Sequence, residues 1–164
     1  MKKEEEKFMQ EALKEARIAY RNNEVPIGAI IVLNNSKIIA RSHNQVELLK
    51  DPTAHAEMLA LTQATSFLKS KWLKDCTLYV TVEPCLMCAA ALVLSRIDKV
   101  IFGAYDEKSG AFGSKIDINQ IKLNHRIKFK GGVLEKECAQ LIKDFFKEKR
   151  LKKNFSFYSR LSKN

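Results

Sequence analysis

Apolar residues recur at helical spacing over residues 4–22. Phe8, Ala12, Ala16 and Ala19 form one stripe, with Met9, Leu13 and Tyr20 beside it. That period predicts an amphipathic helix. The pattern then changes. Residues 28–33 are a short apolar, β-branched run, Asn34-Asn35-Ser36 is a turn signal, and residues 37–40 read as the returning strand of a hairpin. A polar loop ends in Asp51-Pro52-Thr53, and Thr53 reads as the N-cap of a helix over residues 54–69. Residues 77–82 form the next strand candidate. Pro84 suits the first position of a helix over residues 85–95. Residues 99–102 read as a strand and 103–114 as a Gly-bearing loop. One more strand is expected within 126–130 and 132–134, then a helix over 135–149. Strands alternate with helices from Thr77 onward, so the pattern argues an α/β sheet covered by helices.

The length of 164 residues fits one domain, here residues 1–150. The remaining residues, 151–164, read as a basic tail. From Lys143 to Asn164 there are 8 Lys/Arg against 2 acids, and such a run predicts a solvated helix end and a frayed terminus. Phe145, Phe146, Phe155, Phe157 and Tyr158 interleave with those cations, a mixture that can stack on bases beside phosphates. At least one of Phe145 and Phe146 is expected to be a core or interface residue. The whole chain carries 29 Lys/Arg, 19 Asp/Glu and a net charge of +10. That surplus fits a nucleic-acid partner or a merely basic soluble enzyme, and charge alone does not separate the two. No apolar run is long enough for a membrane span, and residues 1–7 lack the apolar core of a signal peptide. The expected location is therefore cytoplasmic. The 4 cysteines are then ligands, catalytic groups or buried thiols rather than disulfides.

Two segments carry the chemistry: His55-Ala56-Glu57 and Pro84-Cys85-Leu86-Met87-Cys88. One His and two Cys supply three ligands, the number expected at a catalytic zinc that keeps an open position. Cys85 and Cys88 share one face at the start of a helix, where free N–H groups and the dipole favour thiolates. Glu57 lies two residues from His55, close enough to move protons without ligating the metal. A lone C-x-x-C is weak and a lone H-x-E weaker. The ordered combination is strong, and H-x-E…P-C-x-x-C is already known as the signature of nucleobase zinc deaminases.

Further segments resemble the bacterial tRNA-specific adenosine deaminases. They are Val25-Pro26-Ile27-Gly28-Ala29, His43-Asn44, Asp51 to Glu57, Thr77 to Cys88, Phe102-Gly103-Ala104, Ser109-Gly110-Ala111, Asn124-His125-Arg126 and Cys138 through Phe146. The resemblance spans about Phe8 to Arg150, is weakest over residues 45–50, and ends after Arg150. It implies a cytidine-deaminase-like three-layer α/β/α sandwich with a mixed sheet of about five strands. It implies a homodimer that converts wobble adenosine of tRNA, typically an arginine tRNA, to inosine. It implies one Zn2+ per subunit on His55, Cys85 and Cys88, with Glu57 as proton shuttle. Asn44 would bond the flipped base, and Val25 and Pro26 would wall its pocket. Asp106, Lys108, His125, Phe146, Lys149 and Arg150 would lie along the anticodon stem-loop.

Two other readings stay open at this point. A deaminase of a free base or nucleoside would use the same metal motif. A non-catalytic zinc-stabilised RNA-binding module would not need Glu57. Outside the motif, Cys76 and Cys138 read as small buried hydrophobes, Trp72 as a core or rim aromatic, and His43 as a hydrogen-bonding neighbour rather than a fourth ligand.

Overall fold

The computed structural model describes the backbone of residues 2–161 and the side chains of residues 2–153. Five strands form one mixed sheet in the order β2-β1-β3-β4-β5. They are β1 (Gly28–Leu33), β2 (Lys37–His43), β3 (Cys76–Val82), β4 (Lys99–Ala104) and β5 (Lys128–Lys130). β1 is antiparallel to β2 and β3, whereas β3, β4 and β5 run parallel. The helices are α1 (Lys2–Arg21), α2 (Val46–Leu49), α3 (Ala56–Leu68), α4 (Leu86–Leu94) and α5 (Glu135–Leu161), with a 3₁₀ turn at Ile118–Gln120.

Strand alternation sorts the core into two layers. Ile30, Val32, Tyr79 and Ile101 face Phe8, Met9, Ala12 and Leu13 of α1 and Cys138 of α5. Ala29, Ile31, Leu78, Val80, Val100 and Phe102 face Ala56, Ala60 and Ala64 of α3 and Ala89 and Leu92 of α4. The result is the expected three-layer α/β/α sandwich. Strands buried on both faces read as continuous apolar runs, which is why β1 and β3 show no polar alternation.

Gly28 lets α1 sit directly on the sheet. A Cβ there would lie 2.1 Å from the Ala12 carbonyl oxygen and 2.4 Å from the Ala16 nitrogen. At the other end of α1, buried Glu5 meets Lys99 at 3.2 Å and Lys130 at 2.5 Å, tying the helix to β4 and β5. The hairpin turns on Asn34 and Asn35, both left-handed at φ 50° and 53°, as a type I′ turn requires. Trp72 lies at the rim, with the Arg96 guanidinium 4.7 Å from its ring centroid.

Several boundaries differ from the sequence reading. α3 starts at Ala56, not at residue 54. The Asp51 carboxylate accepts from the Thr53 N–H and hydroxyl, so Thr53 closes an Asx turn instead of capping the helix. His55 takes the cap position with extended backbone. α4 starts one residue later than expected, with Cys85 as its N-cap. Residues 132–134 make no strand, because Gly132 and Leu134 adopt positive φ. The short α2 and the 3₁₀ turn are additions. α5 runs to Leu161, well past the end expected at Lys149. The side chains of Phe155, Phe157 and Tyr158 lie outside the described residues. Among the described residues, no helix is long and apolar enough to cross a membrane.

Candidate active site

The site forms at the carboxyl ends of β2 and β3, where the chain enters α3 and α4. His55 and Cys85 are the N-caps of these two helices. Both helices therefore aim their positive ends at one point. The Ser42 hydroxyl donates to the Ala56 carbonyl at 2.6 Å and fixes the start of α3 against β2.

The His55 Nδ1 atom lies 3.7 Å from Cys85 Sγ and 3.6 Å from Cys88 Sγ. All three donor atoms lie within 4.8 Å of one another. Tetrahedral zinc, with bonds of about 2.3 Å to sulfur and about 2.0–2.1 Å to nitrogen, sets neighbouring S and N about 3.5–3.6 Å apart. The observed spacing matches that edge, so the donor set fits zinc in both geometry and chemistry. Three protein ligands leave the fourth position to water or substrate.

Protonation within the cradle is uneven. Hydrogen bonding from Cys88, with help from His55, pulls the Cys85 thiol down to about 4. The same contact and burial push Cys88 up. Cys85 in turn raises His55. A cation bound among them must displace the remaining thiol proton, so its affinity rises with pH. Cys76 and Cys138 behave differently, with burial raising them to about 11 and 12. They are the inert buried thiols expected.

Glu57 is buried beside Cys88, and burial raises its carboxyl to about 7. Its Oε2 has no hydrogen-bond partner. The Asn44 Oδ1 atom is likewise buried without one. Asn44 is held by its N–H to the Ile27 carbonyl, and the next residue bonds the Ala54 carbonyl, one position before His55. Buried polar atoms are normally satisfied, so two free acceptors next to a metal cradle mark where a polar ligand fits.

A groove of about 660 Å³ opens between the 105–109 loop and α5. Val25, Asp106, Lys108 and Phe146 line it, joined by Tyr105 and Lys143. Pro26 is buried and does not line it. Asp106 is committed locally, accepting from the Lys108 and Ser109 N–H groups. Lys149 lies over the Phe145 ring at 5.0 Å, and Arg150 is exposed. His125 is not brought to the site. It bonds the Ile97 carbonyl at 2.7 Å, just before β4 begins, whereas the site lies beyond the strand's other end. His43 pairs with Glu15 at 3.0 Å and is no ligand.

Two functional supports escaped the sequence reading. The buried Glu83 carboxylate accepts from the N–H groups of Phe112 (2.9 Å), Asp106 (3.1 Å) and Ser114 (3.1 Å), and from the Ser114 hydroxyl. It pins the loop that walls the groove. Glu24, also buried, accepts from the N–H groups of Glu47 and Leu48 and caps α2. Neither has a local signature, because the partners lie 23 or more residues away.

Known proteins give the class first. A family model described as MafB19-like deaminase matches residues 3–150. The tRNA-specific adenosine deaminase of Aquifex aeolicus is 53% identical over 146 residues, covering 88% of this chain and 95% of that protein. The Bacillus subtilis enzyme of the same name is 48% identical over 151 residues, covering 92% and 93%. A solved structure from a study of A-to-I editing by tRNA:A34 deaminases at the wobble position superposes with a TM-score of 0.79. It is 42% identical and covers 82% of this chain and 97% of that one. The chain belongs to the tRNA-specific adenosine deaminase family.

Proposed function

We propose that this protein hydrolyses adenosine to inosine and ammonia at the wobble position of a tRNA anticodon, an arginine tRNA being the expected substrate. The observation that carries the chemistry is a buried Glu57 carboxylate with one unpartnered oxygen, Oε2, beside a His55–Cys85–Cys88 cradle with zinc spacing. The tRNA assignment is supported by the family. His55, Cys85 and Cys88 would hold the zinc, which when bound would supply a water acidified to near neutral pH. Glu57 would take one proton from the water and pass it to N1 of the adenine as the water oxygen bonds to C6, then take the second from the new C6 hydroxyl and pass it to the exocyclic amine, so that the C6–N bond breaks, ammonia leaves and the C6 carbonyl of inosine remains. Asn44 presents a free acceptor to orient the base. Val25 and Pro26 wall the pocket. Lys108, Phe146, Lys149 and Arg150 serve the flanking RNA, and Asp106 shapes the loop. His125, at the far end of β4, is left out of this assignment.

Residues 1–150 act as one cytoplasmic deaminase domain in this reading, working as a homodimer. An apolar groove of about 780 Å³ between α3 and α4 supports the dimer. Met58, Leu61 and Leu94 line it, and Leu94 is 79% exposed. A second copy seated there would cover the Leu94 side chain, which otherwise stands in solvent. The test is inosine formation in a synthetic anticodon stem-loop bearing a wobble adenosine, run beside free adenosine, cytidine and guanine. Inosine in the stem-loop supports the reading. Turnover of a free base alone overturns it and moves the enzyme to nucleobase chemistry.

A further inference from the structure

We propose that the end of α5, from Lys152 onward, is a basic arm that grips the phosphate backbone of the RNA stem adjoining the edited loop. This rests on the tRNA reading above. Residue 150 is where the family match ends, yet the helix continues to Leu161. The added residues 152–161 extend it by about 15 Å at 1.5 Å per residue. Residues 151–164 hold four cations, Lys152, Lys153, Arg160 and Lys163, and no acid.

The groove and the arm are continuous. Ala139, Ile142, Lys143 and Phe146 of α5 line the groove. Arg150 and Lys153 follow Phe146 at i+4 and i+7, so they continue the same helical face. RNA lying in the groove and leaving along α5 passes over them.

Their charges are also free. Elsewhere Lys14, Arg41, Lys50, Lys99 and Lys130 pair with carboxylates. Among the described residues, Lys147, Lys149, Arg150, Lys152 and Lys153 pair with none, although Asp144 and Glu148 lie beside them in the same helix. Asp144 accepts from Gln140 and Glu148 from the Tyr20 hydroxyl. Adjacent like charges on one helix repel. A polyanion laid along them removes that repulsion and releases its counterions.

The experiment compares wild type with the variant Lys152→Gln/Lys153→Gln/Arg160→Gln. A control, Lys2→Gln/Lys3→Gln/Lys7→Gln, loses the same charge at the start of α1. KM for the stem-loop is measured from 50 to 200 mM salt, with melting temperature and zinc content as checks on folding. Each phosphate contact is worth about 3.5-fold over that range, so three contacts make wild-type KM rise about 40-fold more than that of the arm variant. The control should keep the wild-type slope, and kcat should be equal in all three. Equal slopes in wild type and arm variant, or equal flattening in arm variant and control, overturn the arm while inosine formation keeps the tRNA reading. No inosine from wild type overturns both.

Discussion

Glu83→Gln is a nearly isosteric change, and the structure predicts a large effect. One carboxylate oxygen accepts from the N–H groups of Phe112 and Ser114, the other from the Asp106 N–H and the Ser114 hydroxyl. Glutamine can keep its oxygen toward Phe112 and Ser114. Its amide nitrogen then faces the Asp106 N–H, donor against donor. The Ser114 hydroxyl can turn and accept, but the Asp106 N–H cannot. The loss is one charge-assisted bond and one blocked donor, about 2–3 kcal/mol. For a protein of this size that lowers Tm by about 5–10 °C. The Asp106–Ser109 wall of the groove loosens as well, so KM for the stem-loop should rise. The assay is thermal and urea unfolding with zinc measured in the same samples, followed by steady-state kinetics. A Tm within about 1 °C of wild type, with KM unchanged, would refute the idea that Glu83 holds this loop.

Further outcomes follow from the same geometry. Gly28→Ala forces a Cβ into the α1 backbone and should cost about 3 kcal/mol, read as a lower urea midpoint. Glu5 is raised by burial, but Lys130 and Lys99 outweigh that and lower its pKa below 4.5. Its contribution is therefore complete above pH 4.5 and lost as pH falls through the lower folded value. Glu5→Gln should unfold with less acid sensitivity than wild type across that window, and identical acid profiles would count against the ion pairs. Leu94→Glu should shift the proposed dimer to monomer in sedimentation experiments, whereas an unchanged mass would move the interface elsewhere.

The parts of this protein legible in its sequence are those with local signatures. β1 could be read to its last residue because both of its faces are buried and a turn follows. The convergence of His55, Cys85 and Cys88 could be read because the motif spacing sets them at two helix starts. Thr53 misled because residue type marks a cap, whereas the neighbouring Asp51 claimed its N–H and hydroxyl. Resemblance points to His125, yet its bond to the Ile97 carbonyl, just ahead of β4, holds it at the opposite end of the sheet. Glu83 and Glu24 were invisible because a carboxylate that gathers distant N–H groups leaves no pattern nearby. The end of α5 was missed because a basic run that reads as a solvated tail keeps helical backbone.

The most direct test of the account compares wild type with Glu57→Gln. Zinc content and inosine formation on a wobble-adenosine stem-loop are measured from the same preparations. About one zinc per chain is expected in both, and inosine from wild type alone. Inosine from the variant at a comparable rate would contradict it. So would loss of zinc from the variant, since Glu57 would then belong to the metal's ligands and not to the proton path.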